Sequence, residues 1–460
     1  MSSLLSLLSV ARDGMQAQSA GLSVTGQNIS NVNTPGYARR SVVLSTRPVQ
    51  GSAAGGVDAQ SISRSFDRLS RGRVVEEHGR QGAADARASV LASVENVLVP
   101  GGATIADRVG SFFQSLDALS SSPSDTSARL GVIGAARDLA QQISGAASDL
   151  ETHRGDLLQR ARGIAGEVND RLGRIASLNT QIAEATARGD AGADLRDQRD
   201  QLVQEVGDRV GARAVEDATG QITLFAAGSA LVDGGRASPL SVDLDASGNL
   251  RVQAQGTSGS LVDVTSSTTQ GALGGIREAR DTDIPAATAA LDRFALDLAT
   301  SVNATHAAGF GLDGTSGRAL FTTTSTVTGA ARALTLNAAL EGHPERIAAA
   351  SRAADLPGGN DIALQLAGLA SRPLGAGASP PAERFAAIAA DVGTRHASAE
   401  AESELRADTV LQAESMRESE SGVSLDEETM NLNRFQRAFE ASTRVMRVAD
   451  ELLDNLMKSL

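Results

Sequence analysis

The sequence predicts a mainly α-helical protein with an inserted β region. The N- and C-terminal helices pair as a coiled-coil inner domain, long helices bundle into a stem, and a small β-rich outer domain projects from it. Three observations carry this expectation. Apolar residues recur at helical spacing at both chain ends, no proline interrupts residues 125–187, and the period shifts from 3.6 to 2 within residues 212–270. Hydrophobic residues make up 41% of the chain but aromatics only 2%, with no tryptophan and one tyrosine. Cores must therefore be thin and built from Ala, Leu, Val and Ile, as bundles are.

In chain order, residues 3–29 place Leu4, Leu8, Ala11, Met15, Leu22 and Ile29 on one helical stripe, with polar Gln18 and Thr25 at the intervening heptad positions. The stretch QNISNVNTPGYARR, 27–40, then stops the helix. Asn28, Asn31 and Asn33 can bond their own backbone, Pro35 fixes φ, Gly36 accepts a positive φ, and Tyr37 offers an amphipathic anchor beside the turn. From Asp125 to Ala187 a seam through Ala147, Leu150, Leu157, Ala161, Ile164, Val168, Ile175, Leu178 and Ile182, broken by Arg154 and Arg171, reads as one long helix. RGDAGA, 188–193, ends it, and a further helix carries Leu195, Leu202, Val206 and Val210. QITLFAA, PLSVDLD and NLRVQAQ alternate apolar and polar residues between the turns DATG and DASGN, and read as strands. Helix resumes at GALGGIREARD and runs to NATH. Residues 309–380, rich in Gly, Thr, Ala and Pro, read as a second, loop-rich insertion, and 381–418 as helix again. The last helix gives the strongest period in the chain: Leu432, Phe435, Phe439, Ser442, Met446, Ala449, Leu453, Leu456 and Leu460 alternate by three and four. Ser424 and Glu427 before it have capping-box spacing.

Isolated helices are marginal in water, so the two terminal stripes must be buried by each other or by other copies of the chain. Pairing the ends forces the chain out and back. The expected partition is 1–60 plus 420–460 as the inner domain, with termini largely disordered in the monomer; 61–211 plus 271–310 plus 381–419 as the helical stem; 212–270 as the β-rich outer domain; and 311–380 as the insertion.

Acidic residues outnumber basic ones by 55 to 42, a net charge of −13 without a basic block, which argues against nucleic acid or an anionic membrane as partner. The absence of cysteine excludes disulfides and thiolate chemistry. MSSLLSLLSVARDG lacks the basic start and cleavage site of a signal peptide, and no apolar run is long enough to span a membrane. Catalytic signals are thin. His78, His153, His306, His343 and His396 lack metal-ligand spacing, and GFGLDG, 309–314, follows a helix rather than a strand, which favours a loop over a dinucleotide site. No catalytic, cofactor or metal residue is expected.

NISNVNTPGYARR with its preceding helix, and SGVSLDEETMNLNRFQRAFEASTRVMRVADELLDNLMKSL at the other end, resemble the flagellar axial proteins, most closely their hook-associated members. LRDQRDQLVQEVG, 195–207, and GALGGIREARD through NATHAAGFGLDG, 271–314, are similar to the same group. Ala38 and Arg40 depart from the Ser and Gln usual after the turn. The resemblance implies a non-enzymatic adaptor at the hook–filament junction, outside the cell, exported by the flagellar type III apparatus and assembled as a ring of copies. Its implied partners are itself, the hook protein, the second junction protein, and an export chaperone covering Phe435, Phe439, Met446 and Leu453. Two other classes stay open: a hook or rod subunit, and a self-contained secreted coiled-coil protein.

Overall fold

The structure, a computed structural model, describes residues 2–34, 36–47, 55–102, 104–256, 259–375 and 379–458. Pro35 and Leu460 lie outside the described residues, as do the side chains of Leu4 and Leu456. The chain opens with α1 (Ser2–Ser30) and an antiparallel hairpin, β1 (Arg40–Arg47) and β2 (Gly56–Arg64), strands that the expected coiled-coil inner domain of residues 1–60 did not include. Four helices follow: α2 (Arg68–Leu98), α3 (Ile105–Ser121), α4 (Thr126–Ala187) and α5 (Ala193–Val210).

Local chemistry sets their starts. Asp67 accepts from the Leu69 and Ser70 amides ahead of α2, and these bonds, with the Ser70 hydroxyl, hold its carboxyl down at about 2. Thr104 and Asp107 form a complete capping box at α3. Asp125 accepts from the Ser127 amide at 2.8 Å ahead of α4. At 1.5 Å per residue, the 62 residues of α4 span about 93 Å.

The β insertion forms two antiparallel sheets. One has the order β3 (Arg213–Glu216), β4 (Ile222–Ala226), β5 (Ser229–Asp233), β6 (Arg236–Ala237); the other β7 (Leu240–Leu244), β8 (Leu250–Gln255), β9 (Leu261–Asp263). Asp217 and Asp245 hold the DATG and DASGN turns by accepting from backbone amides two and four residues on. The sheets lie along α4 rather than beyond the stem. Leu224, Leu231, Val242 and Val252 are buried in the same apolar cluster as α4, so the insertion extends the stem core sideways.

Helix returns as α6 (Gly271–Glu278) and α7 (Ile284–Ala307), joined by a widened π-type turn, Ala279–Asp283, directly before Pro285. That turn redirects side chains. Arg280 donates to the Arg154 carbonyl of α4 and the Gly248 carbonyl, each at 3.0 Å, while Asp283 accepts from Arg87 of α2. Arg154 itself donates to Gly248, so this arginine in the seam ties the second sheet to α4. The glycines of GALGG permit close packing: a Cβ on Gly275 would stand 2.1 Å from the Ala83 carbonyl oxygen of α2.

Residues 309–380 do not stand out as a separate insertion. β10 (Phe321–Thr322), α8 (Ala330–Ala333), β11 (Thr335–Leu336) and α9 (Asp361–Gly368) pack on α3, α4 and α7, burying Leu320, Phe321, Leu334, Leu340, Ile347 and Leu366 in the stem core. Buried Arg129 of α4 donates to the carbonyls of Pro123 and Ile347. His306 of α7 bonds the Arg318 carbonyl through Nδ1 and accepts the Ala348 amide at Nε2. The chain closes with α10 (Pro381–Ser421), which runs along α2, and α11 (Leu425–Lys458), which runs along α1.

One device recurs at four helix–strand contacts. A helical asparagine pairs its side-chain amide with both backbone groups of a strand's first residue: Asn28 with Arg40 of β1, Asn169 with Leu240 of β7, Asn179 with Ile222 of β4, and Asn303 with Phe321 of β10. Each amide imitates a neighbouring peptide group, supplying the donor and acceptor that a strand end lacks.

Candidate assembly site

The two chain ends meet in an antiparallel pair, α1 against α11. Gly14 lies beside Ser442, Gly21 beneath the Phe435 ring, and the Asn28 amide bonds the Glu428 carboxylate at 3.0 Å. Each layer is seven residues from the next on both helices, in opposite directions, which is an antiparallel heptad register. A Cβ on Gly21 would come within 2.6 Å of the Phe435 ring, so glycine makes the hole into which this aromatic fits.

The stripe of α1 is therefore turned from its expected position. Its buried line is Ala11, Ala17, Gly21, Val24, Thr25 and Asn28, while Leu8, Met15, Leu22 and Ile29 flank it half-buried. At the Gly21 layer the Phe435 ring fills the seam and leaves room only for a small partner opposite. On α11 the reading by heptads places Leu432, Phe435, Phe439, Met446 and Leu453 on the inward face, each half-buried, with Ala449 fully buried.

The turn after α1 is more than a helix stop. Asn31 bonds back to the Gln27 carbonyl at 2.9 Å and accepts the Thr34 hydroxyl, Asn33 is exposed, and Gly36 has φ of 79°. Asn28 departs from the expected local bond. Fully buried, it joins Arg40 and Glu428, and its Oδ1 accepts the Tyr37 hydroxyl at 2.9 Å. Burial raises the Tyr37 hydroxyl's pKa above its ordinary value, against the pull of Arg40 stacked 4.9 Å from the ring centre. The capping box before α11 is half made. Ser424 Oγ lies 3.5 Å from the Glu427 amide, but the Glu427 carboxylate turns to Arg39 at 2.7 Å instead of reaching back to the cap. Arg39 also holds Glu428 at 2.9 Å.

A second cluster joins this pair to the stem. Asp194, Asp197 and Asp200 recur every three residues on one face of α5. Arg40 meets Asp194 at 2.6 Å and Asp197 at 2.9 Å; Arg64 meets Asp197 at 2.6 Å and Asp200 at 2.7 Å; Arg71 also reaches Asp200. The guanidinium carbons of Arg64 and Arg71 lie 5.2 and 5.0 Å from the centre of the Phe66 ring. Burial pushes the Asp197 carboxyl up, against the pull of Arg64 and Arg40. The RDQRDQ repeat carries the signal for this ladder, but its arginine partners lie far away in sequence. Arg40, noted only as a departure from the usual turn, is one of its three cations.

No group of three or more His, Asp or Glu side chains suited to a metal occurs among the described residues. GFGLDG forms a tight loop in which Asp313 pairs with Arg318 and Phe310 bridges to Ala350.

Comparison with known proteins agrees with this layout. Residues 91–321, half of the chain, match the flagellar hook-associated protein FlgK helical domain. Residues 8–37 match the flagella basal body rod protein family, and 417–459 the flagellar basal body rod FlgEFG protein C-terminal family. Flagellar hook-associated protein 1 of Escherichia coli K12 is 27% identical over 98% of this chain and 99% of its own, and that of Bacillus subtilis 168 is 26% identical over 100% and 99%. The flagellar hook junction protein FlgK from Burkholderia pseudomallei superposes with a TM-score of 0.50 at 26% identity, covering 55% of this chain and 47% of that one. With its paired ends, stem and flanking sheets, the chain belongs to the flagellar hook-associated protein FlgK family and is a structural adaptor of the flagellar axis.

Proposed function

We propose that this chain forms the junction between hook and filament, as a ring of copies whose α1–α11 pairs line the tube and whose stems pack around it. The observation that carries this reading is the incomplete burial of the terminal pair. Phe435, Phe439, Met446 and Leu453 stay half-exposed after pairing, and Val445, Val448 and Leu452 form a second apolar stripe on α11, each 42–53% exposed. Stripes of this kind are satisfied by neighbouring copies. Leu8, Met15, Leu22 and Ile29 flank the seam of α1 and supply the matching surface, and Asn28, Asn31, Gly36 and Tyr37 fix the corner from which α1 enters it.

The rod-type matches are confined to the chain ends, whereas the hook-associated match covers the stem, which favours a junction subunit over a rod or hook subunit. Hook protein is the proposed partner on one side and the second junction protein on the other. A chaperone covers the α11 stripe before type III export to the cell exterior, and the chain acts by packing rather than catalysis.

Hydrogen exchange on the free chain and on hook-bound chain tests this. Fast exchange at both ends of the free chain, slowed on hooks while the stem stays protected throughout, is expected. Ends already protected in the free chain would instead favour the self-contained coiled coil.

A further inference from the structure

A groove of about 760 Å³ lies between the first turns of α2 and the first sheet, lined by no residue of α1 or α11. One wall includes β3, the outermost strand of its sheet, with one flank paired to β4 and the other left without a strand partner. Alternation along β3 and β4 puts Ile222 and Leu224 into the core and Arg213, Val215 and Phe225 on the open face, where the two apolar side chains remain 48% and 40% exposed. The opposite wall presents Leu69, 84% exposed, and Arg73, while Gly72 leaves open space where a side chain would stand.

Charge adds a second, independent feature. Among the groove's carboxylates, Glu76 is taken by Arg80, Asp200 by Arg64 and Arg71, and Glu216 by Arg196. Arg68, Arg73 and Arg213 have no carboxylate within ion-pair distance among the described residues. A chain of net charge −13 thus concentrates three uncompensated cations beside an open strand edge. Natural sheets usually blunt or cover such edges.

We propose that this groove binds an extended, acidic segment of another polypeptide, added as a further antiparallel strand on β3. Backbone groups of β3 would pair with the segment, Val215, Phe225 and Leu69 would receive its alternate apolar side chains, and Arg68, Arg73 and Arg213 its carboxylates.

The test uses the full chain and a fluorescein-labelled peptide of alternating valine and glutamate, followed by anisotropy. Saturable binding is expected, weakened roughly tenfold by the double variant Arg73→Glu, Arg213→Glu and lost with the fully N-methylated peptide. Both variant positions are exposed, and circular dichroism checks that the helices persist. Absence of saturable binding overturns the proposal, as does equal affinity for the N-methylated peptide or for an alternating valine–lysine peptide. The assay needs no assembly, so either outcome is separate from the junction reading.

Discussion

Asn179→Ala is the sharpest test of the asparagine brackets. Asn179 is fully buried on α4 and donates to the carbonyls of Ile222 and Gly234 at 2.8 Å each, while its Oδ1 accepts the Ile222 amide at 3.1 Å and Arg199 at 3.3 Å. Alanine removes all four contacts and leaves the Ile222 amide buried without its acceptor. An orphaned buried polar group costs about 1–3 kcal/mol, and the weakened carbonyls add to it, so the first sheet should lose about 3 kcal/mol of docking stability. At 1.4 kcal/mol per decade, amides of residues 222–237 should exchange on the order of a hundredfold faster by mass spectrometry, while α2 and α10 stay unchanged. Asn169, only half-buried, should give a smaller effect at β7. Exchange within a few-fold of the native chain in Asn179→Ala would refute the idea that the bracket, rather than apolar contact alone, holds the sheet on the stem.

Leu453→Asp on the inward face of α11 should prevent incorporation onto hooks while leaving the stem folded, read by growth of filaments on purified hooks. Gly275→Ala should destabilise the α2–α6 contact by about 3 kcal/mol, since the new methyl meets backbone that cannot swing aside; the thermal midpoint should fall. Buried His306 and half-buried His78 act in opposite directions. Burial holds His306 below its ordinary value of 6.5, so its contribution is complete above that pH and declines as acid protonates the unfolded chain first; His306→Gln should flatten the acid limb of a stability–pH curve. The bond to Asp208, with that to Glu414, raises His78, so its contribution is complete below 6.5 and fades as pH rises through the elevated value; His78→Gln should remove that alkaline decline.

The long helices were legible because a heptad stripe survives any tertiary arrangement: the proline-free 125–187 stretch is α4 to within a residue of each end. The strands at 222, 240 and 250 announced themselves through alternation and Asx turns. The hairpin at 40–64 left a weaker mark, because SVVLSTR sets three apolar residues side by side instead of alternating them, and the bulge at Val43/Leu44 breaks the strand period. Large apolar residues on α1 were expected at the centre of the seam. The structure centres glycine and alanine instead, because only the partner helix reveals which side supplies the bulk. Asn28, Asn169, Asn179 and Asn303 were unreadable as brackets, since each pairs with backbone 12 to 71 residues away and backbone leaves no mark in sequence.

The ladder at the joint explains why the terminal pair leaves the stem in a defined direction. Arg40 begins β1, Arg64 ends β2 and Arg71 lies in the first turn of α2, so both ends of the hairpin and the entry to the stem are pinned to one face of α5. Three cations meet three carboxylates, and every arginine side chain there is at most 18% exposed. Removing Asp200 would leave the largely buried Arg71 guanidinium without its carboxylate, at about 3–5 kcal/mol, whereas a sliding apolar contact could shift its register for far less. Charge therefore serves as the angular constraint where apolar packing supplies the length, and the heptads of α1 and α11 are presented to neighbouring copies along a direction set by residues outside those heptads.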